Sequence, residues 1–171
     1  MNKLILDGKE YELSDELVEK LKESVAAQDW MRKSEEQSPF CRTRETPYYL
    51  IDNIGKVGHL METGQLLNDS HYDVANYCRD EAMMKQRALH ETLNRLLWRY
   101  SEIHGGDYPW DSTTHSHFYI YYRNDNRTFT VGCSVATNPI GTVFFKDEET
   151  AKAAIDAIVK PFLVAHPEFV W

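Results

Sequence analysis

A five-residue pattern occurs twice in this chain and sets what it can fold into. Tyr77-Cys78-Arg79-Asp80-Glu81 and Phe144-Phe145-Lys146-Asp147-Glu148 share one order: aromatic, apolar, basic, Asp, Glu. Two apolar residues that stop at a cation describe a short strand. The Asp that follows can accept from the first free N–H groups of a helix, and the Glu after it sits well at the positive helix end. Each copy follows a hairpin pattern and opens a long segment of helical character. The pattern therefore predicts an α+β fold. Two hairpin-strand-helix (βββα) units are expected in one antiparallel sheet, with an N-terminal hairpin and helix attached.

A chain of 171 residues suits one domain that buries roughly 70% of its unfolded surface. A hydrophobic content of 42% and a charged content of 27% are ordinary for a folded chain. A net charge of −8 argues against a broad basic face for duplex nucleic acid, which needs Lys and Arg against phosphate. It suits a protein partner with a basic surface, and it also serves solubility. Cys41, Cys78 and Cys133 are far apart and form no C-x-x-C pair. They read as reduced packing residues, with no disulfide framework. The opening Met-Asn-Lys soon meets Asp7 and Glu10 and does not read as a signal peptide, and no apolar run of about 18 residues is present to span a bilayer.

Along the chain, residues 1–33 read as a hairpin turning at Asp7-Gly8, then a helix capped by Ser14. Its apolar stripe of Leu17, Val18, Leu21 and Val25 suits docking or a homodimer through the N-terminal helix. Residues 34–47 are polar, contain two prolines and lack either period. They read as a linker. Residues 48–171 read as the duplicated core. Its first helix, about 80–103, ends at Gly105-Gly106, and its last, about 147–164, meets Pro161 near its end. The closing Phe169 and Trp171 are expected to dock back on the core.

Catalytic patterns are weak. His90-Glu91-Thr92-Leu93-Asn94 has Asn where a zinc-protease helix needs its second His. His115 and His117 alternate along a strand without a third ligand nearby. No metal, no cofactor and no enzymatic function are expected. The more informative surface is the strand that carries Phe118, Ile120 and Tyr122. If these face the helices, His117, Tyr119, Tyr121 and Arg123 project together from the other side. Two tyrosines between His and Arg suit three occupants: stacked single-stranded bases, a protein partner, or the N-terminal hairpin and helix folded over them.

The start Leu4-Ile5-Leu6-Asp7-Gly8-Lys9, the segment Tyr48-Tyr49-Leu50-Ile51-Asp52-Asn53-Ile54-Gly55, Asn76-Tyr77 before a helix, and the closing Phe144-Phe145-Lys146-Asp147-Glu148-Glu149 resemble small accessory proteins encoded by phages and prophages of gut Firmicutes. The resemblance implies a phage gene product in the host bacterial cytoplasm, and it carries no site residues. By analogy with anti-CRISPR proteins, it implies a non-enzymatic inhibitor of a host nucleic-acid-processing defence protein, for example a CRISPR effector such as Cas9. Tyr119 and Tyr121 would anchor that contact. Glu148 and Glu149, with Glu62, Asp69, Asp73 and Glu81, would imitate phosphates. The alternative is a single-stranded nucleic-acid-binding protein that uses the tyrosine face.

Overall fold

The computed structural model describes residues 2–6, 9–111 and 113–171, with residues 2–12 and 28–37 by their backbone alone. The fold is α+β. Strands β1 (Asn2–Leu6) and β2 (Lys9–Leu13) pair antiparallel with Leu6 opposite Lys9, which leaves two residues to turn. The expected Asp7-Gly8 turn itself lies outside the described residues. Helix α1 (Asp15–Gln37) starts where Ser14 Oγ accepts from the Leu17 N–H at 3.3 Å.

The helix runs on through residues 34–37, which were expected to be tether. Glu and Gln are good helix formers, and the stop comes only at Ser38-Pro39, where the residue before proline is pushed out of the helical region. Nor is the rest of the linker a free tether. The Arg79 N–H donates to Pro39 O at 2.6 Å, and Glu45 and Glu62 are joined through backbone hydrogen bonds near Thr46. This segment is held in place by strand-like bonding that no local period announces.

The chain divides into two compact units, residues 1–49 with 59–80 and residues 50–58 with 81–171. The division falls across the hairpin of β3 (Pro47–Ile51) and β4 (Val57–Met61), where a single core over 48–171 was expected. In the first unit, Tyr48 stacks on Tyr77 at 4.2 Å, and Tyr72 meets Tyr77 edge-on. Helix α2 (Leu66–Asp73) supplies Asn68 and His71, which share the Tyr48 hydroxyl at 3.0 and 2.8 Å. These aromatic rings are this unit's core; the Tyr48 hydroxyl is satisfied by Asn68 and His71, whereas the buried Tyr77 hydroxyl has no hydrogen-bond partner among the described residues.

In the second unit, helix α3 (Glu81–Ile103) buries Met84, Ala88, Leu93 and Leu97 at helical spacing and stops at Gly105 and Gly106, both at positive φ. Strands β5 (His117–Arg123), β6 (Thr128–Ser134) and β7 (Phe144–Phe145) form a sheet in the order β6-β5-β7. Helix α4 (Glu148–Ala154) is capped by Asp147, whose side chain accepts from the Thr150 N–H at 2.6 Å. A π-helical turn over Ile155–Val159 precedes α5 (Lys160–Ala165). Pro161 has no N–H to return to the preceding turn, and the widened turn accommodates that loss. Leu93, Leu97, Phe145, Ala151, Ala154, Val159 and Phe162 close the core. The tail docks as expected, with Val170 N–H on Gln86 Oε1 at 3.0 Å and Phe169 against His90 and Phe162.

One point corrects the expected sheet. Among the described residues the strands form three separate antiparallel sheets, of two, two and three strands. The third strands are too short to join them. Tyr77-Cys78 contributes one bridge, Cys78 to Tyr49, and β7 only two residues, paired with Phe118 and Tyr119.

Candidate functional site

Strand β5 sorts its residues by period two. Phe118 and Ile120 turn toward the helices and pack on the core, with Val131, Phe129 and Phe145 beside them. The other face carries His117, Tyr119, Tyr121 and Arg123, which pair across to Ser134, Gly132, Thr130 and Thr128. Neither β5 nor β6 contains an Asp or Glu. In a chain of net charge −8 this face is therefore a patch of rings and hydroxyls almost free of charge.

Gly132 gives the patch its shape. A Cβ there would stand 2.8 Å from Cζ of Tyr119 and 3.1 Å from Cε1 of Tyr121, so both rings lie down across the strand where a side chain is missing. The two rings are 5.9 Å apart and tilted at 42°. Phe144 supports Tyr119 edge-on at 5.7 Å. Tyr119 is half-buried and Tyr121 exposed. Gly132→Ala is expected to cost less than about 1 kcal/mol, because the crowded atom ends a side chain that can swing away, while lifting the Tyr119 ring off the sheet. Ring-proton chemical shifts of Tyr119 that do not change in the variant would contradict this geometry.

His117 departs from the expected surface. It is wholly buried, with the Trp110 indole stacked on it at 3.6 Å. Its Nδ1 lies 2.9 Å from both oxygens of Asp107, and the Trp110 indole N–H donates to Asp107 as well. The carboxylate fixes Nδ1–H as a donor, and the buried Nε2 has no hydrogen-bond partner among the described residues. This is the arrangement that orients a catalytic base, but Nε2 is enclosed and not presented to a substrate. The cover comes from the connector between α3 and β5. His115 stacks separately on Tyr108, so the two imidazoles do not share a site.

Arg123 is exposed at the far end of the strand, and Asp125 accepts from its guanidinium, which holds the Asp125 carboxyl below its usual range. Glu148 and Glu149 are exposed in the first turn of α4, and Glu148 pairs with Lys152 at 2.6 Å. Helix α4 packs through Ala151 and Ala154 on the Phe118 side of the sheet. The acids and the tyrosines therefore do not form one patch.

Of the other proposed phosphate mimics, Glu81 pairs with Lys85 at the surface, and Glu62 and Asp69 are both held by Arg42. In the first unit, Arg42 donates to both oxygens of Glu62 at 2.8 and 3.0 Å and to Asp69 at 2.7 Å, with the Tyr72 ring beneath it. Glu62 is buried, so it cannot meet a partner. Arg44, Gly64 and these residues line a polar cavity of about 380 Å³. The backbone N–H groups at its rim are taken, those of Thr63 and Gln65 by Asn68 and that of Gly64 by Glu62. Glu91 likewise bridges Arg87 and Arg95.

Among the described residues no cluster of three or more His, Cys, Asp or Glu could hold a metal ion, and no helix is long and apolar enough to cross a membrane. Comparison with protein-family models, curated proteins and solved structures finds no match. Sequence reasoning missed the Asp107-Trp110-His117 stack. Its signal was available in the connector, where an acid and a tryptophan three residues apart precede the strand.

Proposed function

We propose that this chain is a non-enzymatic binding protein that docks a protein partner on the β5–β6 face, with Tyr119 and Tyr121 as anchors. The observation that carries this reading is the pair of rings laid across Gly132 on two strands that contain no Asp or Glu. Tyrosine supplies a large, rigid contact area at little entropic cost, with a hydroxyl for orientation. A partner of mixed polarity fits such a face better than a nucleic-acid strand does. Strand binding needs several cations along the backbone, whereas the single cation here, Arg123, is already paired with Asp125. In the setting implied by the resemblance, a phage product inside a bacterium, the partner is a host nucleic-acid-processing defence protein and docking inhibits it. The acid-mimic component then rests on the exposed Asp73, Glu81, Glu148 and Glu149, of which Glu148 and Glu149 stand on a surface separate from the tyrosines.

The test is a pull-down with tagged protein from a bacterial lysate, with and without nuclease, repeated with Tyr119→Ala/Tyr121→Ala. A protein retained after nuclease treatment by the wild type, and bound at least about 30-fold more weakly by a variant of unchanged melting curve, supports the reading. Equal retention by both proteins removes the tyrosine face from it. Nucleic acid recovered alone, and lost on treatment, would replace it with the single-strand-binding reading.

A further inference from the structure

A second surface in the unit of residues 50–58 and 81–171 is independent of the tyrosine face. Helix α3 buries Leu93 and Leu97 in the core, yet Trp98, between Leu97 and Arg99, is 60% exposed. The tip of the β3–β4 hairpin lies over this helix: a Cβ at Gly55 would stand 3.4 Å from Thr92 Oγ1 and 3.7 Å from an Arg95 nitrogen. Ile54, 70% exposed at that tip, and Trp98 both line a groove of about 390 Å³, with Thr92, Arg95, Leu96 and Arg99 completing its lining.

The charge of this groove is opposite to that of the chain. Along α3 the Glu91 carboxylate is divided between Arg87 and Arg95, so one acid serves two guanidinium groups. Arg99 has no carboxylate partner among the described residues. A tryptophan and two arginines around an apolar slot are the residue types that dominate the energy of protein interfaces. The slot has room for a bulky apolar side chain, and the arginines beside it favour carboxylates on the same ligand. A nucleic-acid strand fits less well, because the field of a chain at −8 opposes a polyanion over its whole length, whereas a short segment with a few acids meets mainly the local arginines.

We infer that the Ile54–Trp98 groove binds an acidic protein segment that inserts a bulky apolar side chain between Ile54 and Trp98 and places carboxylates on Arg95 and Arg99. The ligand class is thus a short, acidic, apolar-anchored peptide.

The test is selection of random linear peptides displayed on phage against the full chain, followed by fluorescence anisotropy of the best synthetic peptide. Selected sequences should pair Asp or Glu with a Leu, Phe or Trp. Trp98→Ala and Arg99→Glu should each weaken the best peptide by about tenfold or more, and Tyr119→Ala/Tyr121→Ala should leave it unchanged. Both substituted side chains are exposed, so the variants are expected to fold as the wild type does. Selected peptides without acids, or equal affinity for the Trp98→Ala and Arg99→Glu variants, would overturn the proposal. So would a labelled oligothymidylate that binds the wild type and competes with the peptide on equal terms. Failure of the tyrosine-face reading would not disturb these outcomes, since the two surfaces share no residue.

Discussion

Arg42→Ala should destabilise the unit of residues 1–49 and 59–80 by about 3 to 5 kcal/mol, the range for removing one partner of a buried ion pair. The loss comes from what remains. Glu62, with 2% of its side chain exposed, loses both guanidinium bonds and keeps the Gly64 N–H. Replacing both partners, Arg42→Met with Glu62→Gln, should recover most of the loss, because no buried charge is then left unpaired. Hydrogen exchange at the Tyr49, Glu62 and Cys78 amides in rising urea reads the stability of this unit directly, since all three donate within it. Protection in Arg42→Ala within about 1 kcal/mol of the wild type would mean that water in the adjoining cavity solvates Glu62 instead.

The same pair has a pH signature. The hydrogen bonds from Arg42 hold the Glu62 carboxyl below its ordinary value of 4.5, against the opposing effect of burial. A group whose folded pKa is depressed adds stability above its unfolded pKa and loses it as pH falls through the folded one. The wild-type contribution is therefore complete above pH 4.5 and fades below it. Without Arg42 the largest influence holding the carboxyl down is gone, so this acid-side loss of stability should shrink in Arg42→Ala. Tyr77 marks the alkaline side. Burial, and then the charge of Glu62, push its hydroxyl up from 10 to about 12. Its contribution is complete below pH 10 and is lost as pH rises toward 12.

How much of this was legible depended on whether the cause was local. The doubled pattern predicted the third strand and the cap of α4, because strand ending and capping are decided within a few residues, and Asp147 does accept from Thr150. Alternation along β5 assigned Phe118 and Ile120 inward, and Tyr119 and Tyr121 outward, since side-chain direction follows from strand period alone. The Arg42–Glu62 pair had no such signal. Its members are 20 residues apart, and each sits in a polar stretch that reads as solvated. His117 failed for a related reason. Period assigns a face to a residue but does not say which distant loop covers it, and here the Trp110 connector does. The Trp98 groove was half legible: helical spacing sets Trp98 apart from Leu93 and Leu97, but only the hairpin tip at Ile54 makes a groove of it.

The adjacent phenylalanines of β7 separate stability from recognition. Phe145→Ala is expected to cost about 3 to 5 kcal/mol. Its ring is fully buried among Leu93, Leu97, Ala151, Ala154 and Val159, and the helices around it cannot close the cavity without losing their own contacts. Phe144 points to the opposite face, where it meets Trp110 at 5.0 Å, Tyr119 at 5.7 Å and His117 at 6.2 Å. Phe144→Ala removes a ring from a thinner layer, formed by the connector and one tyrosine, that can settle inward. Its cost should be the smaller of the two, about 2 kcal/mol, with altered near-ultraviolet circular dichroism from Trp110 and a changed Tyr119 position. Urea unfolding followed by α-helix signal ranks the pair. Equal losses, with no spectral change in Phe144→Ala, would mean that Phe144 belongs to the same core as Phe145 and that the tyrosine face has no packing support of its own. The expected ranking makes Phe144 the lever by which the connector over His117 and the Tyr119 ring are set, one residue from the side chain that holds the core together.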